Sequence, residues 1–373
     1  MKILVLASFA GSILKFRGDL LKELLLNGHE VKVAAPFENE GFRKELNAMG
    51  IATANISLQR NSVGPLSDIK YMFQLIAEMR RFKPDLVFTY TVKPNVFGAI
   101  AAKLCAIRSI AMVTGLGLAF VKEGGNGSIS GRFAQFAARK LYRLSTGFNE
   151  AVIFQNPDDA SDFVAEGCLA DTSKIRMVNG SGVDTGYYQP ALLPDKPVFL
   201  MLARLLKSKG VKEYCEAAQI VRSRYPQARF LLGGPFDSGM DSITPTELTA
   251  WSGGVVELLG MVEDVRPVIA QCRVYVLPSY REGTPRSVLE AMAMQRPIIT
   301  SDAPGCRETV ENGVNGWLVP VRDATLLAER MIWMLENPDR CKSMAAESLQ
   351  FVQEKYDIKA VNRVMLHHLG LAS

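Results

Sequence analysis

Histidine is almost missing from this chain. His29 sits in an Asn-Gly-His-Glu turn, and His367 and His368 lie near the end. A zinc site or catalytic triad built on imidazole therefore has no residues to use in the body of the protein. Cysteine is sparse too. Cys105, Cys168, Cys215, Cys272, Cys306 and Cys341 form no CxxC pair, which argues against a disulfide framework and for a reducing cytoplasm. No GxGxxG follows the first apolar run and there is no GxxxxGK[ST] loop, so the common dinucleotide and nucleotide-triphosphate cradles are absent. No DxD pair offers carboxylates to a metal-bound diphosphate. The longest uncharged stretch, around SIAMVTGLGLAF (109–120), is shorter than the ~18 residues that cross a bilayer. MKILVLASFA has one Lys and a short apolar run, but an amphipathic helix and a second strand follow at once. A buried first strand therefore explains it better than a signal peptide.

What is present points to a large globular α/β chain. The 373 residues exceed one ordinary core and suit two domains. Charge is uneven: residues 1–143 carry 20 Lys and Arg against 10 Asp and Glu, and the remainder carries 23 against 28. A basic first half implies an anionic partner, whether nucleic acid, membrane or phosphorylated substrate. Strand-like runs (KILVLAS, EVKVAAP, IATANIS, DLVFTY, SIAMVTG, AVIFQN) alternate with helical periodicity, which predicts a parallel sheet covered on both faces. GSGVDTGYYQPALLPDKP breaks the periodicity, and the pattern then restarts. The expected architecture is two doubly wound, Rossmann-like domains facing across a deep cleft. Domain one covers 1–180, a linker 181–197 and domain two 198–356, with 357–373 crossing back. The one glycine-dense loop, EGGNGSISG (123–131), reads as a flexible connection or a lid.

Two stretches carry chemistry. ARLLKSKG places Arg204 and Lys209 after a strand and at a helix opening, where free N–H groups add positive potential. They read as a metal-free diphosphate site or as two solvated cations. REGTPRSVLEA puts Glu282 in a turn and Glu290 inside the following helix. Thr284 reads as its N-cap and Pro285 as its first residue, with the helix running to about Met294. The amides of Ser287 and Val288 fall in the first turn and could hold an anion. Glu290 suits a vicinal diol such as ribose and Glu282 suits sugar hydroxyls. The plain alternative is a surface Arg286–Glu290 pair and a loop charge.

The second stretch resembles the E-x7-E signature of retaining glycosyltransferases of the GT-B fold, family four. SGVDTGYYQP, ARLLKSKG, LGMVEDV (259–265) and SYREGTPRSVLEAMAMQRPIITSDAPGCRETV are similar to that family's linker, diphosphate, base and donor motifs. TYTVKPNVFGAIAAKL and TGLGLAF resemble its subgroup that builds bacterial capsule, O-antigen and lipid-linked oligosaccharides. The resemblance implies an enzyme, a retaining hexosyltransferase that needs no cofactor and no metal at the donor site. Glu290 would hold ribose. Glu282 with Gly283, Thr284 and Pro285 would hold the sugar. Arg204 and Lys209, helped by Ser287 and Val288, would neutralise the diphosphate. Met261 would lie beside the base, and Gly11 would let the first domain's backbone approach the phosphates. Many relatives carry a histidine near the donor sugar. This chain has none there, and Thr114 and Gly115 stand in its place.

Arg17, Arg60 and Lys93 fall at apparent element ends and are candidates for an acceptor diphosphate. GRFAQFAARKLYRLS (131–145) has Arg132, Arg139, Lys140 and Arg143, no acid, and interleaved Phe and Leu. It reads as a helix lying on anionic lipid or as a core helix with a solvated face. Nucleic acid is disfavoured, since no groove-reading or stacking motif accompanies the basic residues. The implied partners are a UDP-sugar, that of an N-acetylhexosamine with GalNAc favoured, and a polyprenyl-diphosphate-linked saccharide. The setting is cytoplasmic, peripheral on the inner face of the membrane. A GDP-mannose or UDP-glucose transferase is the same-fold alternative; a nucleotide-sugar epimerase or a nucleotide-binding module is the different-class one.

Overall fold

Runs of branched apolar residues such as KILVL and VFLML are buried on both faces, and each becomes a strand of a parallel sheet. The structure is a computed structural model that describes residues 1–58, 65–116, 129–239 and 241–371, apart from the side chains of residues 65 and 129–135. The chain divides into two units, Met1–Ser181 with Asn362–Ser373, and Gly182–Val361.

The first unit carries β1 (Lys2–Leu6), β2 (Glu30–Ala35), β3 (Ala52–Asn55), β4 (Leu86–Tyr90), β5 (Arg108–Val113), β6 (Ala151–Phe154) and β7 (Ile175–Met177), in the order β3-β2-β1-β4-β5-β6-β7. Its helices are α1 (Ala10–Leu26), α2 (Glu40–Ala48), α3 (Pro65–Phe82), α4 (Ala99–Leu104), α5 (Ile129–Phe148) and α6 (Pro157–Ala165). Helices α1 and α2 pack together, whereas α3 and α5 both pack on α4 and on a π turn, Pro94–Gly98. Strand β7 has no strong pattern in the sequence. It is a three-residue edge strand, half exposed, so burial wrote little into it.

The second unit carries β8 (Val198–Leu202), β9 (Arg229–Gly233), β10 (Val256–Gly260), β11 (Val274–Leu277), β12 (Ile298–Ser301) and β13 (Gly316–Val319), in the order β10-β9-β8-β11-β12-β13. Around them lie α7 (Val211–Arg224), α8 (Pro245–Ser252), α9 (Arg266–Gln271), α10 (Arg286–Ala293), α11 (Ala324–Glu336) and α12 (Pro338–Lys355), and α13 (Ile358–His368) starts in this unit. Both sheets are parallel and doubly wound, as the alternation of elements predicts.

Of residues 181–197, read from sequence as a linker, all but Ser181 fall in the second unit. Val183 and Tyr188 join its core, with Ala191 and Leu193 against it. Gly and Pro break periodicity there, but they do not prevent burial of the apolar residues between them. The first unit resumes at Asn362, inside α13, and His368 Nε2 lies 2.9 Å from the Met177 carbonyl of β7. The 123–128 part of the glycine-dense loop lies outside the described residues.

Candidate functional site

Strands β8 and β11 are neighbours in the second sheet, and the chain leaves them toward opposite sides. Their carboxyl ends therefore form the switch point where such sheets bind ligands. Arg204 follows β8 and Glu282 follows β11, so this edge gathers the residues the sequence singled out.

Lys209 Nζ donates to Glu282 Oε1 at 2.5 Å, with both side chains mostly buried. Ser279 Oγ donates to the same oxygen at 2.8 Å. Sequence gave Lys209 and Glu282 separate ligand groups; the structure makes them one ion pair. Tyr280 locks the two loops together. Its N–H donates to the Ser208 carbonyl at 2.8 Å, and its hydroxyl to Glu213 Oε1 at 2.7 Å. Burial and that carboxylate push the Tyr280 hydroxyl above its ordinary range, so it stays protonated and donating.

Two glycines make this packing possible. Gly210 has φ +73, and a Cβ there would stand 2.1 Å from the Pro278 carbonyl oxygen. Gly305 has φ +78, and its Cβ would stand 2.1 Å from the carbonyl oxygen of Glu282. Any side chain at either position would push the β11 loop away from its neighbours.

Arg204 is more open than expected of a buried diphosphate anchor. Its side chain is 58% exposed and pairs with Asp237 of the loop after β9. Asp241 of that loop takes hydrogen bonds from the N–H and Oγ of Ser208. Sequence reading missed both aspartates, although the FDSGMDS acids follow a strand at the same sheet edge.

Helix α10 begins one residue later than the spacing predicts. Pro285 is its N-cap, with extended backbone (φ −73, ψ 101), so Thr284 lies outside the helix. The Val288 N–H, expected to be an open anion donor, is already bonded to the Pro285 carbonyl at 3.0 Å. Proline holds that carbonyl where the first turn can close on it.

Glu290 is 4% exposed. Its Oε1 accepts from Arg286 Nε at 3.0 Å and from the Tyr188 hydroxyl at 3.0 Å. The Arg286–Glu290 pair exists, but it is buried, not the surface pair that spacing alone allowed. Met261, after β10, is 75% exposed at the same edge of the sheet.

The first unit's expected residues differ more. Arg17, read as facing a ligand, is 3% exposed; its guanidinium lies near Met112 Sδ (3.0 Å) and over the Tyr90 ring (5.9 Å). The spacing of α1 turns it inward. Lys93 is bonded to Asp68 of α3 at 2.7 Å. Gly11 lies in the first turn of α1, and the space beside it is filled by the rings of Phe9 and Phe42. A Cβ there would meet those ring edges at 2.8–2.9 Å, so packing alone already favours glycine. Thr114 and Gly115 follow β5 at the carboxyl edge. Arg60 lies outside the described residues. One feature without a sequence signal is Thr91, a β-branched residue held at φ +76 just after β4. Among the described residues, no group of three or more His, Cys, Asp and Glu is arranged to hold a metal ion, and no helix is long and apolar enough to cross a membrane.

Comparison with known proteins accounts for both halves. Residues 2–156 match the family model described as "Glycosyl transferase 4-like" and residues 196–337 the one described as "Glycosyl transferases group 1". The chain is 29% identical, over 98% of its length and 99% of the relative's, to the N,N'-diacetylbacillosaminyl-diphospho-undecaprenol alpha-1,3-N-acetylgalactosaminyltransferase of Campylobacter jejuni. It is 26% identical, over 72% of its length and 70% of the relative's, to an Escherichia coli UDP-Gal:alpha-D-GlcNAc-diphosphoundecaprenol alpha-1,3-galactosyltransferase. Among solved structures, Anabaena HepE in complex with UDP and glucose superposes with a TM-score of 0.80, 20% identity and 99% coverage of both chains.

Proposed function

The chain belongs to the GT-B glycosyltransferases with 4-like and group 1 domains, and from that premise we propose that it moves an N-acetylhexosamine, GalNAc by preference, from a UDP-sugar to a polyprenyl-diphosphate-linked saccharide. The observation that carries the donor half is the switch-point cluster: buried Glu290 beside Arg286, and Lys209 on Glu282 with Arg204 nearby. The acceptor half rests on the two lipid-diphosphate relatives, which match most of the chain.

In this reading Glu290 takes the ribose, Gly283 to Pro285 with Glu282 take the sugar, and Met261 lies beside the base. The bond from the anomeric carbon to the UDP oxygen breaks while a bond to the acceptor hydroxyl oxygen forms on the same face, giving retention. The acceptor proton passes to the departing diphosphate oxygen. Arg204 and Lys209 stabilise the charge that develops there, in place of a metal ion. Lys93, Thr114 and Gly115 belong to the acceptor side, whereas Arg17 is packed inside the first unit.

The reading places the enzyme on the inner face of the cytoplasmic membrane. Helix α5 contains no acid and exposes Phe136, Leu141 and Leu144; α3 exposes Leu66, Ile69 and Phe73 beside Lys70. Both helices pack on α4, and cationic apolar faces of this kind seat on anionic lipid.

Calorimetry with UDP, GDP and NAD, on the parent chain and on Glu290→Ala, tests the donor site. The expected result is UDP binding that the variant loses. GDP preference would move the reading to a mannosyl-type donor. Equal binding by the variant would remove α10 from the donor site. An epimerase would instead release an altered UDP-sugar with no acceptor present.

A further inference from the structure

Tyr188 lies in a segment whose composition promised only a connection. Yet it is 9% exposed, and its hydroxyl reaches the Glu290 carboxylate at 3.0 Å. The segment is anchored on both sides of it. Arg266, itself chelated by Asp264, stacks 3.9 Å above the Tyr187 ring, and that ring meets Tyr188 edge-on at 5.1 Å. Downstream, fully buried Arg296 donates to the carbonyls of Ala191 and Leu192 and to those of Ile269 and Ala270. Tyr188 is thus delivered rigidly.

The two donors to Glu290 converge on one oxygen. Tyr188 and Arg286 both bond to Oε1, and a carboxylate oxygen has two lone-pair directions. Oε2 makes no hydrogen bond among the described residues and is not sealed from solvent. The carboxylate plane is therefore set from one side only, and the other oxygen is left for a ligand.

We propose that Tyr188 is a positioning residue for the donor nucleotide: by holding Glu290 Oε1 together with Arg286, it aims Oε2 at a ribose hydroxyl, so that ribose is distinguished from deoxyribose through that oxygen. The proposal rests on the reading of Glu290 as the ribose ligand. Tyr188 itself touches no reacting atom.

The test is calorimetric binding of UDP, 2′-deoxy-UDP and 3′-deoxy-UDP to the parent chain, Tyr188→Phe, Glu290→Gln and the double variant, with thermal melts alongside. The parent is expected to favour UDP over at least one deoxy analogue. Tyr188→Phe should lower UDP affinity by about tenfold, the scale of one hydrogen bond to a charged group, while leaving the affinity for that deoxy analogue unchanged. On the Glu290→Gln background, Tyr188→Phe should cost little more, because it acts through the same carboxylate. Tyr188→Phe with unaltered discrimination overturns the proposal, as does an equal loss for all three nucleotides, which marks a structural role. If the parent binds UDP and the deoxy analogues alike, Glu290 is not aimed at either hydroxyl and the proposal falls while a UDP site stands. If the parent binds no nucleotide, the donor reading falls and this proposal with it.

Discussion

Lys209 and Glu282 share a 2.5 Å hydrogen bond, so each holds the other where a donor diphosphate and its sugar would meet. Lys209→Ala should do more than remove a cation, because it takes the ammonium away from a mostly buried carboxylate beside an incoming polyanion. We expect kcat to fall by about 10²–10³, the scale of losing one preorganised charge at a leaving group, measured with a UDP-sugar and a lipid-linked acceptor. Asp237 acts in the opposite sense. Its bond to exposed Arg204 would compete with a donor phosphate for the same guanidinium. Asp237→Asn should therefore tighten UDP binding modestly, about two- to fivefold, since exposed pairs are weak; titration calorimetry reads the change. Weaker binding would mean that Asp237 instead orients Arg204 for the ligand. At this scale the sequence named Arg204, Lys209, Glu282 and Glu290, because acids and bases at strand ends are conspicuous. It did not reveal that Lys209 bonds Glu282 across 73 positions, nor that Tyr188 reaches Glu290 across 102. Spacing along the chain carries no information about such partners.

Turns and helices show where local chemistry yields to packing. The start of α10 shifts by one residue because Pro285, with extended backbone, caps the helix. Gly305 illustrates the reverse dependence, since its role comes wholly from the Glu282 carbonyl that lies where a Cβ would go. Gly305→Ala should destabilise the chain by about 2 kcal/mol or more, through a left-handed backbone and a forced backbone shift. Urea unfolding measures this; an unchanged midpoint would mean that the loop relaxes freely. Helix α5 was legible as basic and apolar, while the exposed stripe of α3 was not singled out, because its solvent face depends on what packs against its other side. Phe136→Glu with Leu144→Glu should reduce co-sedimentation with phosphatidylglycerol vesicles severalfold without altering UDP binding. Retention equal to the parent's would detach α5 from the lipid reading.

Charge is a property of the whole molecule. The excess of Lys and Arg in residues 1–143 predicts that vesicle binding weakens as salt is raised from low to physiological ionic strength, where the screening length shrinks to about 8 Å. UDP, by contrast, should raise the melting temperature of the parent chain and not of Glu290→Ala, because a ligand stabilises only the state that binds it. By itself the sequence determined the parallel α/β character of both halves, the strand ends at which chemistry would collect, and the residue types gathered there. Each follows from hydrophobic periodicity and turn chemistry, which act within a few residues. Tertiary structure decided which of those charges pair, which are buried, and that a supposed linker supplies Tyr188 to the core of the second unit. Those outcomes depend on side chains brought together from distant positions, and only the packed sheet and its close glycine contacts bring them within hydrogen-bond reach.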